Sequence, residues 1–309
     1  MSPVKYHLVA LFTVFVWGTT FVSTKVLLAN LSPLWILLIR FAIGFCALCI
    51  LRPHILRLKE RKHEILFAAA GATGIAAYYL LENVALVFTT ATAVGVIVAA
   101  SPLFTGILSA LLGNRSALNW RFFSGFLLAI GGLLIVSTGS GAEDPMVAFG
   151  SFSLFGDLLA LLAALVWAVY SVLVERIAKA GYETVASTKR IFLWGLIFIL
   201  PTTLLAGGPL PSAEAFLDRQ SVANLLFLGL LASAACFATW GASVKHLGPT
   251  MSTTYIYLVP AITATASVLI LGEPMNLPIV AGVAMTIGGL ILSQGRSADP
   301  DDSGMTQQG

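Results

Sequence analysis

Glu82 stands in the stretch "YYLLENVALVF", with apolar residues on both sides for most of a helix. A carboxyl in such a setting can hold a cationic group such as a substrate amine, or carry a proton by alternating between acid and carboxylate. Four more ionisable residues interrupt apolar runs: Lys25, Arg40, Glu175 and Arg190. On insertion scales each costs about 2.5–3.5 kcal/mol at a bilayer centre, which only a partner or an aqueous cavity recovers. Tyr78 lies four residues before Glu82 and shares its helix face, while Tyr79 and Asn83 flank the pair. Trp17, Trp167, Tyr170, Trp240 and Tyr257 add rings able to stack on or cage a flat amphipathic ligand. Plainer roles stand beside these. Lys25 and Glu175 can snorkel from helix ends, Arg40 and Arg190 can form helix-packing salt bridges, and Glu82 can be a structural partner of Arg40 or Lys25. Aromatic residues in apolar spans also serve as interface anchors or packing. Trp17 and Trp167 fit an interface belt poorly, because both fall mid-helix.

Other chemistries lack their parts. Cys46 and Cys49 form a C-x-x-C pattern inside an apolar span without ligand partners, and Cys236 is isolated. His7, His54, His63 and His246 fall at span ends or in loops, so neither a metal site nor any cofactor is expected. No G-x-x-x-x-G-K-[ST] loop is present to power a pump. An intramembrane enzyme would need a nucleophile, base or metal ligands converging at one depth, and no in-span histidine or carboxylate pair offers that. A net charge of +3 is too small to suggest nucleic-acid binding.

These residues must be positioned by membrane helices. Of the 309 residues 58% are hydrophobic and 10% charged, against about 25% charged in a soluble domain. At roughly 20 apolar residues per span, the chain divides into ten candidate transmembrane helices near 6–27, 33–51, 65–86, 91–112, 121–138, 154–174, 184–205, 222–243, 250–271 and 277–294. The expected class is an all-α integral membrane protein whose partners are the lipid bilayer and a small-molecule substrate. The first span lacks a small-residue cleavage site and reads as a retained helix. The polar segment 295–309 reads as a disordered cytoplasmic tail. Basic residues set the orientation. With both termini inside, thirteen of the 17 Lys and Arg residues lie on the cytoplasmic side and only Arg219 lies outside. The run "RPHILRLKERKHE" is the densest part of that anchor and a candidate site for anionic lipid.

The two halves repeat one another. An offset of 150 residues brings Trp17 onto Trp167, Lys25 onto Glu175 and Arg40 onto Arg190. Further along, "AASPLFTGILSALLG" parallels "LVPAITATASVLILG", matching Pro102 to Pro260, and "GFLLAIGGLLIVS" parallels "GVAMTIGGLILS". The units are residues 1–140 and 150–294. Five spans per unit is an odd number, so the second unit enters from the opposite face, and inverted repeats give a route to alternating access. Depth arithmetic then puts Lys25, Arg40 and Glu82 in the outer half, with Glu175 and Arg190 near the inner face. Pro102 and Pro260, central in their spans, could bend helices to line a cavity or act as hinges. The glycine patterns of spans five and ten, including Ala284 to Gly288, suit close helix contact.

The phrases "FVWGTTFVSTKVL", "ENVALVFTTATAVGVIVAASPLFT" and "LGEPMNLPIVAGVAMTIGGLIL", in that order within a duplicated chain, resemble the EamA-type members of the drug/metabolite transporter superfamily. The resemblance covers residues 6 to 294 and implies ten helices and efflux of metabolites or drugs, often amino acids. One departure is visible. Gly272-Glu273 in the second unit stands where the first has Gly113-Asn114, which points to a helix-boundary role for Glu273. The expectation is a secondary transporter of the cytoplasmic membrane, coupled to a proton, another ion or the substrate gradient. The alternatives are an importer or an exchanger of another solute such as a nucleotide sugar, and a membrane sensor. An exchanger of anions should have a more basic cavity than Glu82, Lys25 and Arg40 supply.

Overall fold

A computed structural model describes residues 4–112, 120–139, 151–247 and 255–293 of the protein. Gly113-Asn114 and the tail 295–309 lie outside the described residues. All regular structure within them is helical, as an apolar chain requires when hydrocarbon offers its backbone no hydrogen-bond partners. Seven helices are long and apolar enough to cross a membrane: α1 (Val4–Leu27), α2 (Pro33–Leu51), α3 (His63–Phe88), α4 (Ala91–Leu108), α6 (Leu154–Lys179), α7 (Thr184–Ala206) and α8 (Arg219–Ser243). Three shorter apolar helices are α5 (Trp120–Val136), α9 (Tyr255–Leu271) and α10 (Leu277–Ser293). Each expected span overlaps one of these helices, the fifth, ninth and tenth falling on the three shorter ones and the ninth being described from Tyr255 onward. A short helix over Ala213–Leu217, capped by Ser212, was not expected. Phe15, Ile197, Leu205 and other large apolar side chains are exposed around the bundle, while Arg40, Glu82, Asn83 and Asp157 are buried. That distribution suits a surface facing lipid.

Three helices contain π-helical turns, α9 over Ser267–Leu271 and two others at matching places. In α3 the segment Gly71–Ala77 is π-helical, and in α8 so is Phe227–Ala235. The offset that relates Pro102 to Pro260 also relates Gly71 to Gly229. Both glycines sit where another backbone crosses closely. A Cβ on Gly71 would lie 2.6 Å from the Trp194 Cβ and 2.7 Å from the Gly195 nitrogen of α7, and one on Gly229 would lie 2.6 Å from the Ile43 Cβ of α2. π-Helical turns of this kind recur at functional sites.

The prolines also behave alike. The α4 helix stops at Val98, turns at residues 99–100 and resumes at Ser101 with Pro102 in its first turn. In α9 a 3₁₀ turn over Tyr255–Leu258 precedes an α-helical segment that starts at Val259, again with Pro260 in the first turn. A proline there lacks only an N–H that would be free of an intrahelical partner anyway. Both therefore begin helical segments, and neither kinks a continuous helix. Thr263 of α9 packs on Gly95 of α4 and donates to the Gly18 carbonyl of α1 at 2.7 Å.

The α5 and α10 helices meet through glycine. A Cβ on Gly289 would lie 2.6 Å from the Gly125 carbonyl oxygen and 2.9 Å from the Ala129 Cα, and one on Gly282 would lie 2.8 Å from the Gly132 carbonyl oxygen. Gly288, by contrast, has only the Leu128 side chain nearby, at 4.0 Å. Close contact thus runs through Gly282 and Gly289.

Candidate functional site

Glu82 lies on α3 just beyond the π-helical segment and is 1% exposed. Its electrostatic neighbours are Arg40 and the Tyr78 hydroxyl, and its Oε1 has no hydrogen-bond partner. Arg40, from α2, is also 1% exposed. Its Nε donates to the Ser233 hydroxyl of α8 at 3.0 Å, and its guanidinium carbon stands 4.3 Å from the Tyr79 ring centroid and 5.5 Å from that of Phe41. The Nη1 of Arg40 is buried without a partner. No ion pair within 4.0 Å joins Arg40 to Glu82 among the described residues. Asn83 donates through Nδ2 to the Pro33 carbonyl at 3.1 Å, and its Oδ1 is likewise unpartnered.

A continuous series of ring contacts runs past these groups. From Trp240 it passes to Trp17 at 5.2 Å, Phe237 at 5.9 Å, Phe192 at 5.3 Å and Phe41 at 5.1 Å. It continues through Tyr79 at 4.9 Å, Tyr78 at 4.6 Å, Trp167 at 4.6 Å and Tyr170 at 4.9 Å. Most of these contacts are edge-on or tilted, the arrangements aromatic quadrupoles favour. Both halves of the chain contribute. The Trp17 indole is further fixed by donating to the Ala232 carbonyl in the π-helical segment of α8, at 3.1 Å. Phe41, Phe192, Phe237 and Ser233 were absent from the sequence-based candidates. The repeat offset held one clue, since it pairs Tyr79 with Phe237 and Glu82 with Trp240.

Other expected residues lie apart from this cluster. Lys25 donates to the carbonyls of Leu86 and, at 2.7 Å, Thr89, so it caps the C-terminal end of α3. A cation there is favoured by the helix dipole. Glu273 performs the opposite service. Its carboxylate accepts from the backbone nitrogens of Ala91 at 2.8 Å and Thr92 at 3.2 Å and from the Thr92 hydroxyl at 2.8 Å, at the start of α4. The positive φ of Gly272, 66°, turns the chain out of α9 just before Glu273. Glu273→Gln should cost about 1 kcal/mol of stability, the scale of a helix-cap contact. A thermal melt of the purified chain in detergent checks this, and an unchanged midpoint would reject the capping role.

Arg190 makes a two-point contact with Glu64, its Nε lying 3.0 Å from Oε1 and its Nη2 meeting Oε2, and donates to the Leu56 carbonyl at 3.0 Å. Glu64 is the last residue of the basic run "RPHILRLKERKHE". Glu175 is exposed and pairs with Lys179 at 2.6 Å, one helical turn on. Tyr257 is buried, yet no ring contact links it to the series above. Pro102 and Pro260 mark the α4 and α9 breaks. No group of three or more potential metal ligands occurs among the described residues.

Comparison with known proteins agrees with this architecture. The model of the EamA-like transporter family matches the chain twice, over residues 4–138 and 154–294. An uncharacterized transporter of Archaeoglobus fulgidus is 28% identical over 94% of this chain and 97% of its own. A probable terminal-alkyne amino-acid exporter of Streptantibioticus cattleyicolor is 29% identical over 92% of each chain. A solved crystal structure shares the fold with a TM-score of 0.65 at 18% identity, covering 94% of this chain and 97% of its own. A multi-pass membrane protein with a buried acid, a buried arginine and rings drawn from both of its halves, the chain belongs to the EamA-like transporter family.

Proposed function

We propose that the protein is a secondary transporter that exports small metabolites, such as amino acids or amphipathic drug-like compounds, across the cytoplasmic membrane by alternating access. The observation that carries this reading is Glu82, fully buried with a free carboxylate oxygen beside a ring series drawn from both halves. A structural acid in a membrane bundle would be expected to have its polar atoms satisfied. The proposed scaffold is ten transmembrane helices in two inverted repeats, 1–140 and 150–294. Support comes from the irregularities at matched offsets, the π-helical segments of α3 and α8 and the proline-led segments of α4 and α9. Glu82 is also the group best placed to carry a coupling proton. Substrate would stand against the rings and the acid in one conformation and be released when the two repeats exchange shapes.

A toxicity-rescue screen tests the substrate class. Cells overproducing the chain should tolerate raised concentrations of at least one amino acid or aromatic analogue that inhibits control cells, and no rescue by any compound in the panel rejects the reading. Orientation is checked separately. Reporters fused to the first residue and after Ser293 should both respond as cytoplasmic, given thirteen basic residues on that side; opposite responses would rule out two units with equal numbers of spans.

A further inference from the structure

We infer that the link between α2 and α3, residues 52–62, is a docking surface for anionic phospholipid, with Arg57 and Arg61 meeting the charged head group and Ile55 entering the boundary of the acyl region. Such a surface requires only that the chain lie in a bilayer, whatever it carries. The link joins the end of one span to the start of the next, so it runs along the membrane surface. Ile50 and Leu51 before it and Ile65 after it are exposed, as side chains facing lipid are. Within the link, burial alternates. Leu56 and Leu58 are half-buried and pack against the core, whereas Arg57 and, at 84%, Ile55 are exposed. An isoleucine that open beside a cation suits the interface, where the apolar group enters the acyl boundary and the charge stays with the phosphates.

The contacts of the link separate its free cations from its engaged ones. Arg52 pairs with Glu183 at 2.9 Å, Lys62 with Glu60 at 2.6 Å, and Lys59 donates to the Ala180 carbonyl at 2.7 Å. Glu175, an exposed acid of the neighbouring α6 end, is taken by Lys179. The side chains of Arg57 and Arg61 are exposed and make no hydrogen bond or ion pair among the described residues. Their guanidinium forks match the oxygens of a phosphate. The backbone between them is already fixed from the second half of the chain. Lys189 donates to the His54 carbonyl at 2.7 Å, Arg190 donates to the Leu56 carbonyl at 3.0 Å, and the Tyr182 hydroxyl accepts from the Lys59 nitrogen at 2.9 Å. A surface so ordered loses little freedom on binding. Topology alone would explain the arginines and leave the open isoleucine without a role. The link between α7 and α8 is the contrast. It too exposes large apolar side chains, Leu210 and Leu217, but beside Glu214 and Asp218, and its first cation is Arg219.

Native mass spectrometry of the purified full-length chain in detergent tests the assignment, with dioleoyl phosphatidylglycerol and dioleoyl phosphatidylcholine as probes. The anionic lipid should bind its tightest site about twenty-five-fold more strongly than the zwitterionic one, at about fivefold for each arginine near the head group. Arg57→Gln and Arg61→Gln should each lower that preference about fivefold and together remove it. Ile55→Ser should weaken both lipids alike, and Arg219→Gln, which takes an exposed arginine from the other link, should change neither. Should the arginine variants fail to fold, a photoactivatable phosphatidylglycerol on the unaltered chain in mixed nanodiscs decides the matter: it should label residues 52–62 and spare the link between α7 and α8. Equal affinity for the two lipids overturns the inference, as does a preference that survives loss of both arginines or labelling that avoids 52–62. Displacement of the lipid by glycerol 3-phosphate, with no effect of Ile55→Ser, also overturns it, because the surface would then be a site for free phosphate.

Discussion

Chains carrying Glu82→Gln or Glu82→Ala are expected to reach the membrane in normal amounts and to lose export. Glutamine preserves the shape and one acceptor while deleting the charge. Losing a charge-assisted contact in a desolvated site costs about 2 kcal/mol or more, which is roughly a thirtyfold loss of substrate affinity. A carrier that must alternate protonated and charged forms loses coupled transport altogether. Abundance should hold, because Glu82 makes no ion pair within 4.0 Å, its Oε1 has no hydrogen bond to forfeit, and the Tyr78 hydroxyl beside it can still donate to glutamine. Export of the rescued compound, normalised to protein in the membrane fraction, reads the effect. Unimpaired export by both variants rejects a functional acid at this position.

The second large effect is on stability. Gly289→Val should destabilise the protein by about 3 kcal/mol, in the upper range for overpacking a contact that cannot relax. The atoms that the new side chain would strike are backbone atoms of Gly125 and Ala129, and moving them means pushing α5 off α10. Gly288→Ala is the matching control. Its Cβ meets only Leu128 at 4.0 Å, and alanine is favoured over glycine within a helix by about 1 kcal/mol. Thermal melts in detergent should therefore show a large drop for the first variant and none for the second. Equal midpoints would mean that the glycine contact is not what holds these two helices together. Since α5 and α10 end the two stretches that the family model matches, the loss should appear as whole-chain unfolding.

Much of the helical layout could be read from hydropathy, because a span needs about 20 consecutive apolar residues and the chain punctuates them with turn residues and charge. The buried state of Glu82 and Arg40 was legible for the same reason. The long-range partners were not. Whether Lys25 snorkels or caps a helix depends on the Leu86 and Thr89 carbonyls arriving beside it. Glu273 reaches a helix start that lies far away in the sequence. Phe41, Phe192 and Phe237 sit in uniformly apolar runs, where nothing local separates a ring facing Tyr79 or Trp17 from one facing lipid. The π-helical segments of α3 and α8 were not legible either, since Gly71 and Gly229 lie there where another helix crosses closely, a tertiary feature with only single glycines as its trace. Glu64 was obscured by the basic residues around it, though its two-point contact with Arg190 ties α3 to α7.

Those contacts hold the frame in which the acid and the arginine are suspended, and they leave one thing to measure above all. Purified protein is reconstituted into liposomes loaded with an unlabelled excess of the rescued compound, then diluted into a trace of the same compound labelled, with no nucleotide and no imposed ion gradient. Alternating access predicts a transient overshoot of label inside the vesicles, because each outward passage of unlabelled solute returns the site to face the labelled pool. Label that only rises to equilibrium, or enters no faster than in protein-free vesicles, contradicts a carrier built around Glu82.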